Sequence, residues 1–229
     1  MTARANIPEE VVDKLACVVS TDSWHKVIEI VRSSPCRLVE LRTDLLGLDR
    51  DLALPIIGKL ADYGYSIIAT FRNNVSVGET SKVVEILDEI AECCAYLVDV
   101  EYNSVYLNHA VKKWGDKLIV SFHEYRWTPR VEILYSYAGE IISHGARIAK
   151  IVTMARKFSD NWRVLAVNAK FPKRAVSFAM GRKGVLSRLL APYYGAPFTY
   201  VYIGEKPVAP GQLKFNDIVE LWSLLGLID

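Results

Sequence analysis

The chain has 229 residues, 51% of them hydrophobic and 24% charged, with a net charge of +2. That is the balance of a globular protein in water, long enough for one sizeable core. It excludes several classes: no block of like charge supports nucleic-acid or polybasic membrane binding, and no apolar run approaches the roughly 20 residues of a membrane helix. Met1 to Glu10 hold no apolar signal segment, so the sequence predicts a cytoplasmic protein. Cys17, Cys36, Cys93 and Cys94 follow no metal-ligand spacing and are predicted to be buried, reduced thiols. The single glutamine, Gln212, fits the amide depletion seen in some heat-adapted proteins.

Pro8 to Asp13 read as a short helix. Beyond it, short apolar runs alternate with amphipathic ones, the first with the character of buried strands and the second with helical periodicity. In chain order the predicted pairs begin with a strand at Leu15 to Ser20 and a helix at Asp22 to Arg32 capped by Thr21 or Asp22. Then come Arg37 to Arg42 with Asp51 to Tyr63, Ser66 to Arg72 with Glu79 to Glu92, and Tyr96 to Glu101 with Ser104 to Trp114. Lys117 to His123 leads to a helix at Pro129 to Ser143, where Thr128 is the expected cap and Pro129 the first-turn residue. The last three are Ala146 to Val152 with Ser159 to Ala169, Ala175 to Met180 with Gly184 to Tyr194, and Phe198 to Ile203 with Phe215 to Leu225. Continuous apolar strands alternating with helices mean a parallel sheet covered on both faces. Eight such units point to a single-domain (β/α)8 barrel over residues 1–229, with Pro8 to Asp13 across its bottom; an open doubly wound sheet is the alternative.

Charges fall in a recurring place on these strands. Glu40 and Arg42 share a face at the end of the second, Arg72 ends the third, and Asp99 and Glu101 share a face at the end of the fourth. His123 ends the fifth and Lys150 lies late in the sixth. In a barrel covered by helices such groups must point inward at the mouth, where barrel enzymes place their chemistry. A buried lysine is expensive as an ammonium, so Lys150 is predicted to be an uncharged amine, the form that condenses with a ketone to an imine. His123 on the neighbouring strand is a proton carrier for the same site. A purely structural ion-pair network inside the barrel would have no need of His123 and would accept arginine at position 150.

His25, His109 and His144 belong to helices or their ends and read as surface or dipole-capping residues. Trp24, Trp114, Trp127, Trp162 and Trp222 read as helix-packing residues. The seventh loop, Met180-Gly181-Arg182-Lys183-Gly184, has the glycines and cations of an anion site, with Arg188 able to reach back over the mouth as a carboxylate fork. The Pro- and Gly-rich segment from Gly204 to Gln212 suits a lid that excludes water.

Taken in order, these segments resemble type I 3-dehydroquinate dehydratase, a (β/α)8 Schiff-base enzyme of the shikimate pathway. The resemblance rests on Val39-Glu40-Leu41-Arg42-Thr43-Asp44, Thr70-Phe71-Arg72, Val98-Asp99-Val100-Glu101, Val120-Ser121-Phe122-His123-Glu124-Tyr125 with Thr128-Pro129, Ala149-Lys150-Ile151, Met180-Gly181 with Gly184 and Ser187-Arg188, and Ala209-Pro210-Gly211-Gln212. It implies that Lys150 forms an imine with the ketone of 3-dehydroquinate and that His123 moves the protons. It also implies that Glu40, Arg42, Arg72, Arg188 and Gln212 hold the substrate, with Arg188 on its carboxylate, and that no metal or cofactor is used. Glu124 matches an acidic position of the family motif. Asp99 or Glu101 would orient His123 or balance Lys150. A small-molecule substrate is the implied partner, with no nucleic acid and no membrane, and a homodimer is compatible. Two family positions differ: Ser76-Val77-Gly78 replaces an acidic residue followed by two glycines, and Val208 replaces a serine before Ala209. The alternatives are another lysine-imine lyase or class I aldolase on the same barrel, and a catalytically weak homologue that binds a small acid.

Overall fold

The computed structural model describes residues 7–72 and 77–228. The eight apolar runs are its strands: β1 (Leu15–Ser20), β2 (Leu38–Arg42), β3 (Ser66–Phe71), β4 (Leu97–Glu101), β5 (Leu118–Glu124), β6 (Ile148–Met154), β7 (Ala175–Met180) and β8 (Thr199–Gly204). All the ladders are parallel, and the hydrogen-bonded order is β7-β6-β5-β4-β3-β2-β1-β8. Across the remaining seam Phe178 of β7 meets Tyr200 of β8 edge to face, ring centroids 5.9 Å apart. This nearly closed cylinder is the predicted (β/α)8 barrel.

The helices are α1 (Glu9–Val12), α2 (Trp24–Arg32), α3 (Thr43–Leu46), α4 (Arg50–Asp62), α5 (Val77–Cys93), α6 (Leu107–Trp114), α7 (Val131–Ser143), α8 (Asp160–Lys170), α9 (Val185–Leu190) and α10 (Phe215–Leu224). Each apolar helical stripe lies on the outward side of the sheet; Val27, Ile57, Leu87, Leu134 and Ile218 are fully buried there. Burial of each such side chain contributes about 1.5–3 kcal/mol. Helix α1 immediately precedes β1, and its Val11 and Val12 are buried in the cluster formed with the outer helices.

Strand alternation sends every second residue into the barrel. Near the bottom, β2, β4 and β6 contribute Leu38, Leu97 and Ile148, and Phe198 joins them from just before β8, all buried and apolar. Two residues further along the same strands come Glu40, Asp99, Lys150 and Tyr200, also buried. Barrel interiors are stacked in layers of four from alternate strands. Here one complete layer is polar, and it is the floor of the site.

Several details depart from the sequence reading. Strand β6 runs on to Met154, so Lys150 is its third residue rather than near its end, and the lysine lies deep in the barrel, 1% exposed. Thr128 is not a helix cap: it is buried and bonded to Thr153 Oγ1 (2.8 Å) and the Met154 carbonyl (3.1 Å), while Arg130 takes the cap position of α7. The predicted helix Gly184 to Tyr194 is α9 flanked by two 3-10 turns, Arg182–Gly184 and Ala191–Tyr194, the second carrying Pro192 in its first turn. Ser23, not Thr21 or Asp22, precedes α2. Trp127 and Trp162 are about half exposed rather than packed on the barrel. Gly184 is required where it stands, because a Cβ there would collide with the Ala179 carbonyl.

The expectation of reduced thiols is corrected. Cys17 is bonded to Cys36 and Cys93 to Cys94, leaving no free cysteine among the described residues. Cys17 lies in β1 and Cys36 just before β2, with Cα atoms 6.2 Å apart, a proximity created by strand pairing and invisible in a spacing of 19 residues. Closing a loop of that length restricts the unfolded chain by about 3 kcal/mol. Reduction, or Cys36→Ser, is therefore expected to lower the thermal midpoint by several degrees; calorimetry with and without reductant measures it, and an unchanged midpoint would mean that the bond contributes nothing to stability.

Candidate active site

At the carboxyl end of the barrel the inward side chains surround one cavity. Its walls include Glu40, Arg42, Arg72, His123, Lys150, Arg188 and Gln212, so seven predicted site residues converge there. Lys150 Nζ donates to Asp99 Oδ2 at 2.6 Å and to Glu40 Oε1 at 3.3 Å. The fourth member of the layer, Tyr200, presents its ring face to the same nitrogen, 4.0 Å from the ring centroid. The amine is thus shielded from water but not left isolated. What the sequence reading lacked is the pairing: carboxylates from two other strands lie within ion-pair distance of the nitrogen and compensate its burial.

The two carboxylates are fixed from behind. Glu40 accepts from Thr70 Oγ1 at 2.8 Å, and Asp99 accepts from the Ser121 hydroxyl. Burial pushes the Glu40 carboxyl up, but Lys150, Arg72 and Arg42 outweigh it and hold the group at about 2. Arg42 forms a two-pronged pair with Asp44, at 2.8 and 2.6 Å. Arg72 lies between Glu101 (3.5 Å) and Asp99 (4.0 Å). Burial lowers its guanidinium's proton affinity, and Asp99, Glu40 and Glu101 more than restore it.

His123 stands two residues above Lys150, since its register partner on β6 is Val152. Its Nδ1 lies 2.9 Å from Glu101 Oε1 and 3.0 Å from Oε2. With a carboxylate as acceptor, Nδ1 carries the proton and Nε2 keeps its lone pair. Burial first, then the positive charges of Arg72 and Lys150, push the imidazole well below its ordinary 6.5, so it is neutral. The alternatives left by the sequence thus separate: Glu101 orients His123, and Asp99 contacts Lys150.

Arg188 comes from α9 rather than from a strand, and it is 2% exposed. Its guanidinium lies over the Phe178 ring at 4.2 Å, and its Nε has no hydrogen-bond partner. Burial, aided by Arg72, pulls it down to about 9. Among the described residues no carboxylate lies within ion-pair distance of it. Gln212 belongs to the segment after β8, which folds over the cavity: Val208 packs on the inner-barrel cluster, and its N–H donates to Gln212 Oε1 at 3.0 Å. Gly211, at φ 71°, makes a close approach to the backbone of Gly181, the residue after β7, and Gly181 N–H donates to the Pro210 carbonyl at 3.1 Å. The cavity is small: water-sized spheres can centre in only about 30 Å³ of it.

The residues 17–229 match the model of a protein family described as type I 3-dehydroquinase. The chain belongs to that family. It is 33% identical over 219 residues to the 3-dehydroquinate dehydratase of Pyrococcus abyssi, covering 93% of this chain and 98% of that one. It is 30% identical over 218 residues to that of Methanocaldococcus jannaschii, covering 91% and 97%. Among solved structures, the 3-dehydroquinate dehydratase from Aquifex aeolicus superposes with a TM-score of 0.75 at 25% identity, covering 93% of this chain and 99% of that one. The enzyme from Geobacillus kaustophilus, at 23% identity, shares the fold with a TM-score of 0.80 over 95% and 92%. The family to which the sequence motifs pointed is therefore established for the chain.

Not every residue matched to the family motif reaches the cavity. Glu124 follows His123 and so points the other way; it accepts from Arg126 N at 2.9 Å and Nε at 3.1 Å at the rim, which removes it from the supporting set. Ser76 lies outside the described residues. Tyr200 and Phe178 line the cavity and were missed, because aromatic positions within an apolar run look like core; Met180, named above only as part of a loop motif, lines it too. The signal that finds Tyr200 is its inward position on β8, equivalent to Lys150 on β6.

NMR titration of His123 is expected to give a midpoint below 6.5 and, at neutral pH, an Nδ1-protonated neutral ring. Glu101→Gln should weaken that tautomer preference. A midpoint at or above the ordinary value would contradict the described field.

Proposed function

We propose that this chain dehydrates 3-dehydroquinate to 3-dehydroshikimate through an imine on Lys150. The observation that carries the reading is Arg188: a fully buried guanidinium without an anion, facing the cavity that also holds Lys150 and an oriented, neutral His123. A structural ion-pair network alone would not leave a buried cation unmatched. A carboxylate ligand supplies the missing partner, and a ketone on the same ligand brings its carbon to Lys150.

In the proposed reaction Lys150 loses a proton, attacks the ketone carbon and expels the oxygen as water, leaving a protonated imine. His123 Nε2 removes a proton from the neighbouring carbon, whose electron pair moves toward the iminium nitrogen. That pair returns to expel the β-hydroxyl, which takes the proton from His123 and departs as a second water. Hydrolysis of the imine consumes one water and restores the lysine, so the net change is loss of one water. Imine formation is covalent catalysis, and a neutral imidazole with a free Nε2 is the general base it requires. Asp99 and Glu40 complement the positive nitrogen, Glu101 fixes the imidazole, and Arg42, Arg72, Arg188 and Gln212 hold the ligand. With its oxygen engaged by Val208, Gln212 has its amide N–H groups to offer.

Borohydride added with 3-dehydroquinate is expected to leave a reduced adduct on Lys150, located by peptide mass spectrometry. Lys150→Arg preserves the buried charge, so it should fold yet form no adduct and show no turnover; activity retained in this variant would favour the ion-pair network instead. His123→Ala should still form the imine while elimination slows by about 10²–10⁴-fold.

Arg188→Met separates binding from stability. Removing an unpaired buried cation is expected to leave the thermal midpoint unchanged or raised, while KM rises about 10- to 100-fold from loss of a charge-assisted contact. An unaltered KM would remove Arg188 from the carboxylate site.

A further inference from the structure

Tyr200 is used by nothing above except as a wall, yet its placement is specific. It is the β8 member of the polar layer formed with Glu40, Asp99 and Lys150, and it is 3% exposed. Lys150 Nζ has carboxylate oxygens from Asp99 and Glu40 as its hydrogen-bond partners and the face of this ring 4.0 Å away. Phe178 and Phe198 hold the ring edge to face, with centroids 5.9 and 5.5 Å away. The Tyr200 hydroxyl has no hydrogen-bond partner, so the contact with the lysine is made by the ring and not through a hydroxyl network.

We infer that Tyr200 is a positioning residue for the reacting nitrogen: its ring face holds Lys150 Nζ in line with the cavity and stabilises the positive charge on that atom, as ammonium and then as protonated imine. The inference rests on the proposed imine chemistry. An aromatic face attracts a cation more strongly when the pair is removed from water, as here. The two carboxylates act through N–H donors, and one of these is lost when the nitrogen becomes doubly bonded to carbon. The ring face needs no donor and accompanies the charge through that change.

Three replacements separate face, hydroxyl and volume. Tyr200→Phe keeps the face and is expected to retain turnover within about threefold. Tyr200→Leu removes the face, and replacement by pentafluorophenylalanine keeps the shape while reversing the ring's quadrupole. Both should lower kcat and the rate of borohydride-trappable imine formation by about tenfold or more, with KM changed far less. Pentafluorophenylalanine preserves volume, so it decides the matter if the leucine variant folds poorly. Turnover equal to wild type with the fluorinated ring would overturn the inference, since a packing role alone is indifferent to the quadrupole. The contact itself is read without substrate from the Cε protons of Lys150 in carbon-13-labelled protein, assigned with Lys150→Arg. A ring-current upfield shift is expected in wild type and Tyr200→Phe and not in Tyr200→Leu. If wild type neither turns over nor forms an adduct, the reaction assignment fails. Absence of the ring-current shift overturns the Tyr200 inference whatever the reaction.

Discussion

Everything at this site depends on one compensated charge in the middle of a barrel. Lys150 occupies a position where the layer below holds Leu38, Leu97, Ile148 and Phe198. An ammonium alone there would cost several kcal/mol or shed its proton. Asp99 at 2.6 Å, Glu40 at 3.3 Å and the Tyr200 ring make the charge tolerable and fix where the nitrogen points. Each support is held in turn, by the Ser121 hydroxyl for Asp99 and the Thr70 hydroxyl for Glu40. The geometry of this amine therefore comes from strands and not from loops.

The same pairing explains why Arg188 is unmatched. The cavity region holds four cations, Arg42, Arg72, Lys150 and Arg188, and four carboxylates, Glu40, Asp44, Asp99 and Glu101. Charge is balanced in total but not locally. Lys150 takes two carboxylates, Arg42 takes Asp44, and Arg72 shares Asp99 and Glu101. Arg188 is left with an aromatic face. A buried cation without a counter-charge is a cost to the empty protein, and under the proposed function an anionic ligand removes that cost on binding.

Much of this was legible in the chain. The strand–helix alternation gave the barrel, and Glu40, Arg72, Asp99, Glu101, His123 and Lys150 stood out as charges in apolar runs. What could not be read was depth. Lys150 looked terminal because Val152 ended its apolar run, whereas Thr153 and Met154 continue the strand. That error made the amine seem unpaired, since its partners lie 110 and 51 residues away in the chain. Glu124 shows the complementary failure: adjacency to His123 suggested a shared site, but adjacent strand residues face opposite ways. The Cys17–Cys36 bond and the Tyr200 contact likewise arise only when β1 meets β2 and β8 completes the layer.

Charge conservation links the resting site to its proposed chemistry. In the proposed reaction the nitrogen of Lys150 is positive as an ammonium and positive again as a protonated imine, so Asp99, Glu40 and the Tyr200 face lie beside a positive atom in both states, although the imine keeps one N–H for the two carboxylates. Catalysis gains most from dipoles and charges already in place when charge develops. The proton that must leave before attack has a carboxylate oxygen at 2.6 Å to receive it. His123 meanwhile is kept neutral by burial and by the positive field of Arg72 and Lys150. In the proposed reaction the nitrogen that withdraws electrons from the substrate carbon is thus also one of the influences, after burial and Arg72, that keep the neighbouring base unprotonated.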